Sequence, residues 1–375
     1  MNHSVVITGL GMVTPLGRNA DDVLDAMAAG RVAAAPPVGF DVSPLDGKLA
    51  AQILDFDANE YFPDNKTLRL MNRDAQLAVA AARLAVGDAG LNIARDYRTG
   101  EVSLFGSTGL AGMPAGDIAA LVKNSADQNG VLDLGGFGRK ALKRVRPVLS
   151  FKILANMPIC FVSIFEGICG PNAIYTPWEG QGARAIQAGF RAVRTGRAPC
   201  AVVGGCDTKA HAFGFVSLQQ LGVFDSWTRH GTGTVPGEGA AFLVLESEQT
   251  ARARGAEIYC RLTDCSAGTV CGEDHADRCA NIMTALGPDR PDLLVAAGDG
   301  QPKLHRRERR AIDELCPQVE VVYPKKHLGD LFAAAAAVQV ALAAKSVWLA
   351  GPGAVAWANC FGHGSEVASF SMEAA

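Results

Sequence analysis

Charge is scarce in this sequence. Charged residues make up 19% of its 375 positions and apolar residues 49%, with a formal net charge of only −3. That balance fits a well-packed globular chain with a large interior or interface, and it supplies no surface for a nucleic-acid partner. The ten cysteines form no CxxC pair and keep no regular spacing, which argues against zinc ligation or a disulfide framework. They read as reduced core thiols, and neither a metal nor a cofactor is expected. The start, MNHSVVITGLG, has no cationic region followed by an apolar stretch of secretory length. No window approaches the roughly 20 apolar residues of a membrane span. A cytoplasmic protein without a membrane partner is the expectation. Short-period repeats, low-complexity tracts and flexible linkers are also missing.

What is present is an alternation of buried-strand and helix signals. SVVITGLG (4–11), VSLFGSTG (102–109), CAVVGGCD (200–207), AAFLVLE (240–246) and DLLVAAGDG (292–300) are short apolar runs, most of them bounded by glycine. Such runs predict strands covered on both faces, as in a layered α/β fold. Between them, 72–89 predicts a helix opened by a capping Asn72 and closed at Gly90. A second helix is predicted over 180–195, with Arg191, Arg194 and Arg197 near its end. A third, alanine-rich one over 331–345 has side chains small enough for a close-packed, central position. A glycine-ended strand near residue 5 has a counterpart near residue 292, so the chain reads as two related halves, 1–250 and 251–375, bridged by 247–255. One local exception to the scarcity of charge is the basic run KLHRRERR (303–310), either a solvated helix face or a docking point for an acidic partner.

These blocks resemble the thiolase-like β-ketoacyl synthases, the condensing enzymes of fatty acid and polyketide assembly. VVITGLGMVTPLG (5–17) is similar to their opening signature, and LMNRDAQLAVAAARLAVGDAGL (70–91) to their first long helix. LANMPICFVSIFEGICGPN (154–172) resembles the strand and loop that lead into the nucleophile. VVGGCD (202–207), GEGAAFLVLE (237–246) and NCFGHG (359–364), the last similar to a glycine-rich gate, complete the series. The resemblance implies a five-layered αβαβα fold of two pseudo-repeated halves, and a dimer whose interface runs beside the active site.

It also implies chemistry that the residues do not support. In the family a cysteine at a helix N-terminus is acylated from an acyl carrier protein, and two histidines assist decarboxylation of the extender. Counting back without gaps from the GG of VVGGCD puts Glu179 at the nucleophile, in GPNAIYTPWEGQGARAIQAG (170–189). Acyl transfer to a carboxylate would give a reactive anhydride instead of a storable thioester. The first histidine position falls on Gly298, in AGDGQP after the strand DLLVA. The second falls on Asp330 in GDLFAAAA, with the family's lysine five residues earlier kept as Lys325. His327 would recover the second histidine through a small insertion, whereas the helix register favours Asp330. HGTGT (230–234) copies the first histidine motif in spelling, but precedes PGEGAAFLVLE and reads as a loop holding His230. The stretch from Asp264 to Pro291 is short for the family, and His363 replaces the second phenylalanine of the gate.

With no catalytic position intact, the resemblance points to a chain-length-factor-like subunit, the ketosynthase β type of type II polyketide systems, aromatic or polyene. Its implied partners are a ketosynthase α subunit and an acyl carrier protein carrying the growing chain. Leu110 and Met113, in the segment 108–136, together with Phe361 and His363, are the expected pocket residues. The alternative is an altered enzyme that uses Glu179 as acid or base, such as a malonyl-thioester decarboxylase. A carboxylate at a helix N-terminus is also stabilised by free amides and the helix dipole without doing any chemistry.

Overall fold

The glycine-ended apolar runs form strands, and glycine is needed there for contact, not only for turns. In a computed structural model describing residues 2–62, 65–110, 115–144, 148–224, 234–269, 275–287, 290–298, 302–364 and 366–375, ten strands are seen. They are β1 (Val5–Val13), β2 (Val102–Thr108), β3 (Asn172–Tyr175), β4 (Cys200–Thr208), β5 (Glu238–Ser247), β6 (Cys260–Thr269), β7 (Leu293–Val295), β8 (Glu320–Val322), β9 (Val355–Phe361) and β10 (Glu366–Ala374). Their order is β3-β2-β4-β5-β1-β6-β10-β9-β7-β8. Each half, counted in its own chain order, therefore runs 3-2-4-5-1 from the outer edge to the centre. Pairing directions repeat as well: β3, β2 and β4 are mutually parallel, as are β8, β7 and β9, and the remaining pairs are antiparallel. The halves join where β1 meets β6 through Val6↔Arg261 and Ile7↔Cys260.

Helices α1 (Arg73–Asp88), α2 (Met157–Glu166), α3 (Glu179–Arg194), α4 (His275–Thr284), α5 (Pro302–Leu315) and α6 (Ala335–Ala350) build the other layers. Strand alternation sorts the core. Val202 and Val244 face out to Leu77 and Ala81 of α1 and Ile159 of α2. Val203 and Leu245 face in to Ile186 and Phe190 of α3 and the alanines of α6. Beyond the second half-sheet, Trp357 and Phe361 pack on Met283 of α4 and Ile312 of α5. The layers are thus α1/α2, half-sheet, α3/α6, half-sheet, α4/α5, the expected αβαβα order. β1, β4 and β5 are buried along their whole length, as strands covered on both faces must be.

Three local readings change. Residues 154–172 hold a helix, α2, where the resemblance suggested an approaching strand. Asn156 begins it, Pro158 sits in its first turn and Gly167, at φ +67°, ends it, leaving only four residues for β3. The alanine-rich segment opens with a 3₁₀ turn, Phe332–Ala334, before α6 starts at Ala335. Contrary to the membrane-span expectation, Phe332–Ala350 is long and apolar enough to cross a bilayer, yet 83% of that window is buried inside the fold.

Gly11 shows why the opening signature is glycine-rich. A Cβ there would stand 2.2 Å from Ala81 O and 2.2 Å from Ala85 N, so α1 rests directly on the β1 backbone. Gly11→Ala should destabilise the fold by about 2 kcal/mol, because helix backbone and not a side-chain tip must move. Urea unfolding checks this, and an unchanged midpoint would sink the account.

Candidate functional site

The two central helices start close together, and their starts carry the polar residues. Glu179 is the first residue of α3 and is 1% exposed. Trp178 precedes it in extended conformation, and the Trp178 backbone N–H donates to Gln181 Oε1 at 3.2 Å. Glu179 Oε2 accepts from Lys325 Nζ, both side chains being buried. Gln339 projects from α6; with its amide oriented to match its neighbours, it donates to Glu179 Oε1 at 2.8 Å and Ala335 O at 3.2 Å. Lys325 also lies 3.5 Å from Asp330 Oδ2 and 3.5 Å from the Phe361 carbonyl. His363 Nε2 is 3.6 Å from Asp330 Oδ2. The fold brings Glu179, Lys325, Asp330 and His363 into one cluster.

Aromatic rings close over that cluster. Phe332 stacks on His363 with centroids 5.5 Å apart, and Trp178 packs on both, at 6.1 Å and 5.7 Å. Phe332 has φ +47°, a strained value for a bulky residue, and its N–H donates to Asp330 Oδ1 at 2.8 Å. Gly362 completes the wall: a Cβ there would be 2.7 Å from Glu179 Oε2.

Gly298 is sealed differently. Glu308, 1% exposed on α5, accepts from the Ala297 and Gly298 amides and from Asn359 Nδ2 at 2.8 Å. A side chain at Gly298 would meet that carboxylate at 2.4 Å and the His305 backbone at 2.9 Å. Of the basic run around Glu308, Arg309 and Arg310 are exposed and paired at 2.8 Å to Asp313 and Glu314. Other candidates do not join the cluster. The Phe361 ring is buried on the outer side against Trp357 and Val367, so only its carbonyl reaches Lys325. Leu110 is 65% exposed on the outside of the protomer. His327 turns to the Arg31 carbonyl at 2.7 Å. Met113 and His230 lie outside the described residues. Sequence reading missed Trp178, Gln339, Phe332 and Glu308. Gln339 was visible as the lone polar residue in AAAAAVQVALAA, and Glu308 as the lone acid in KLHRRERR.

Electrostatics make the cluster self-contained. Burial pushes the Glu179 carboxyl up to about 8, aided by Asp330 and opposed by Lys325. Burial works against both Asp330 and Lys325 too, but their mutual attraction prevails, lowering the first and raising the second. Cys360, the thiol in electrostatic reach of Glu179, is held protonated by burial and donates weakly to Ala336 O at 3.9 Å. It is no thiolate nucleophile.

The family model for the beta-ketoacyl synthase N-terminal domain matches residues 2–251. The tetracenomycin polyketide synthase ketoacyl synthase beta subunit of Streptomyces glaucescens is 29% identical over 364 residues, 92% of this chain and 85% of that protein. The 3-oxoacyl-[acyl-carrier-protein] synthase 2 of Synechocystis sp. is 29% identical over 332 residues, 83% of this chain and 76% of that protein. Among solved structures, the ishigamide ketosynthase/chain length factor superposes with a TM-score of 0.82 at 21% identity, over 100% of both chains. That likeness shows the fold, a thiolase-like one.

Glu179 sets a pH dependence of known sign. Its folded pKa lies above the ordinary 4.5, so the folded chain keeps a proton that the unfolded chain has released. The associated stability is full below about pH 4.5 and is lost as pH rises through about 8. Asp74, raised to about 7 by burial, Glu308 and Asp207 act in the same direction, so the difference between proteins is the readout. Glu179→Gln should gain up to a few kcal/mol relative to wild type between about pH 5 and pH 9. Urea unfolding across that range measures it; a constant difference would refute it.

Proposed function

The chain belongs to the β-ketoacyl synthase family, and on that premise we propose that it is a non-catalytic, chain-length-factor-like subunit. In this reading it pairs with a cysteine-bearing ketosynthase α subunit in type II polyketide biosynthesis and shapes the pocket in which the chain grows on an acyl carrier protein. One observation carries the reading: the nucleophile position is a carboxylate enclosed by Lys325, Gln339 and the Gly362 backbone, 1% exposed, with no room for an acyl group. The sealing of Gly298 by Glu308 agrees, since a condensing site needs that position open to a histidine. The connection between β2 and β3 leaves Leu110, Val122, Leu132 and Leu134 more than half exposed, as a surface awaiting a partner would. Product aromaticity and the decisive wall residues belong to the shared pocket.

The altered-enzyme reading has one observation in its favour, a Glu179 carboxyl raised to about 8 and so able to hold a proton at neutral pH. Both of its oxygens are taken by Lys325 and Gln339, however, and no substrate atom reaches them without displacing the aromatic cover.

Co-expression with a cysteine-bearing type II ketosynthase α subunit from the same genome should give a one-to-one complex that makes polyketide only when both chains are present. Glu179→Gln should leave its rate within about twofold, because the group does no chemistry. An acyl adduct on the purified chain by mass spectrometry would overturn the proposal. So would malonyl-thioester decarboxylation that disappears in Glu179→Gln.

A further inference from the structure

Between β2, β3 and α3 lies a cavity of about 840 Å³, a size that encloses small organic ligands. Its lining is chemically divided. Phe105, Ala188 and Ala192 give it an apolar floor, and Arg184, Arg191 and Arg197 bring three guanidinium groups to the same space. Among the described residues none of the three lies within ion-pair distance of a carboxylate, whereas Arg194 is 3.7 Å from Asp264. The negative end of a helix dipole attracts cations, which accounts for basic residues at 191, 194 and 197 near the end of α3. It accounts neither for Arg184, in the first half of that helix, nor for Ser103. Ser103 lines the cavity too, and its fully buried hydroxyl has no hydrogen-bond partner among the described residues. Such a hydroxyl costs free energy unless something in the cavity meets it.

We propose that this cavity binds an amphipathic carboxylic acid, with its apolar body on Phe105, Ala188 and Ala192 and its carboxylate among the arginines, where the Ser103 hydroxyl donates to it. Each part of the lining excludes a simpler occupant. A bare inorganic anion leaves the apolar floor against water, and a neutral hydrocarbon leaves the guanidinium groups and the hydroxyl unmet. A guanidinium fork meets a carboxylate with two parallel hydrogen bonds, which gives the acid a defined orientation. The site is separate from the Glu179 cluster, since Glu179 opens α3 and the cavity runs along residues 184 to 197. The inference therefore goes beyond the functional reading above and does not depend on it.

Fluorescence titration of the full chain with cis-parinaric acid, a conjugated polyene carboxylate that brightens in apolar surroundings, tests this. Wild type should bind the acid. Its methyl ester, which keeps the body and loses the charge, should bind about tenfold more weakly or worse. The triple variant Arg184→Gln, Arg191→Gln, Arg197→Gln should bind the acid on the order of 100-fold more weakly and the ester as wild type does. Ser103→Ala should weaken the acid by about tenfold. Ala188→Trp, which fills the floor and keeps every charge, should abolish binding of both probes. The arginines and Ala188 are exposed or half-buried, so unchanged urea unfolding confirms that these variants are folded. Wild type that binds no acid, or binds acid and ester equally, overturns the inference. So does acid binding that survives in the glutamine variant or in Ala188→Trp. Inorganic phosphate that displaces the acid, and that binds Ala188→Trp as well as wild type, overturns it in favour of a small-anion site.

Discussion

One buried ammonium group organises this protein's centre. Lys325 faces the carboxylates of Glu179 and Asp330 and the carbonyl of Phe361, joining the start of α3, the approach to α6 and the end of β9. Those segments belong to both halves of the fold, so one side chain ties the repeat together at its axis. An ion pair of this kind adds little net stability over an apolar filling, because two charges must be taken out of water. Removing one partner is a different matter, since it strands the others. The arrangement therefore fixes geometry more than it adds free energy. A carboxyl group can sit buried at the helix start because the lysine and Gln339 are there to meet it.

Three buried positions near the centre are closed in three distinct ways. At Glu179 the closure is a lysine and an amide; at Gly298 it is a carboxylate delivered from α5; at Asp330 it is a helix-entry turn held by the Phe332 N–H. Each solution satisfies the buried polar groups nearby, and each uses a residue from a different element. Asp330 Oδ2 and His363 Nε2 are the exception, facing each other at 3.6 Å without a hydrogen bond. The strained Phe332 packs its ring on both His363 and Trp178.

Much of this was legible from the sequence, for identifiable reasons. The strands β1, β2, β4, β5 and β7 declared themselves because burial on both faces leaves an unbroken apolar run. Glu179 and Asp330 were expected by counting, without gaps, from the GG of VVGGCD and from the alanine-rich helix, and the fold sets both beside Lys325. The stretch 154–172 misled because a buried apolar run has no period to distinguish strand from helix; only Pro158 and Gly167 marked α2. Phe361 was read as a pocket residue, yet strand alternation turns its ring outward and leaves only the carbonyl inside. Trp178 and Phe332 stayed hidden since their importance depends on what folds against them, which no local pattern encodes.

The middle layer has a consequence for inheritance. α3 comes from the first half and α6 from the second, and each shields sheet surface and partner helix at once. Neither duplicate could be deleted without uncovering the other. A lineage that alters the central site must therefore carry the entire scaffold forward and change only what is written on it.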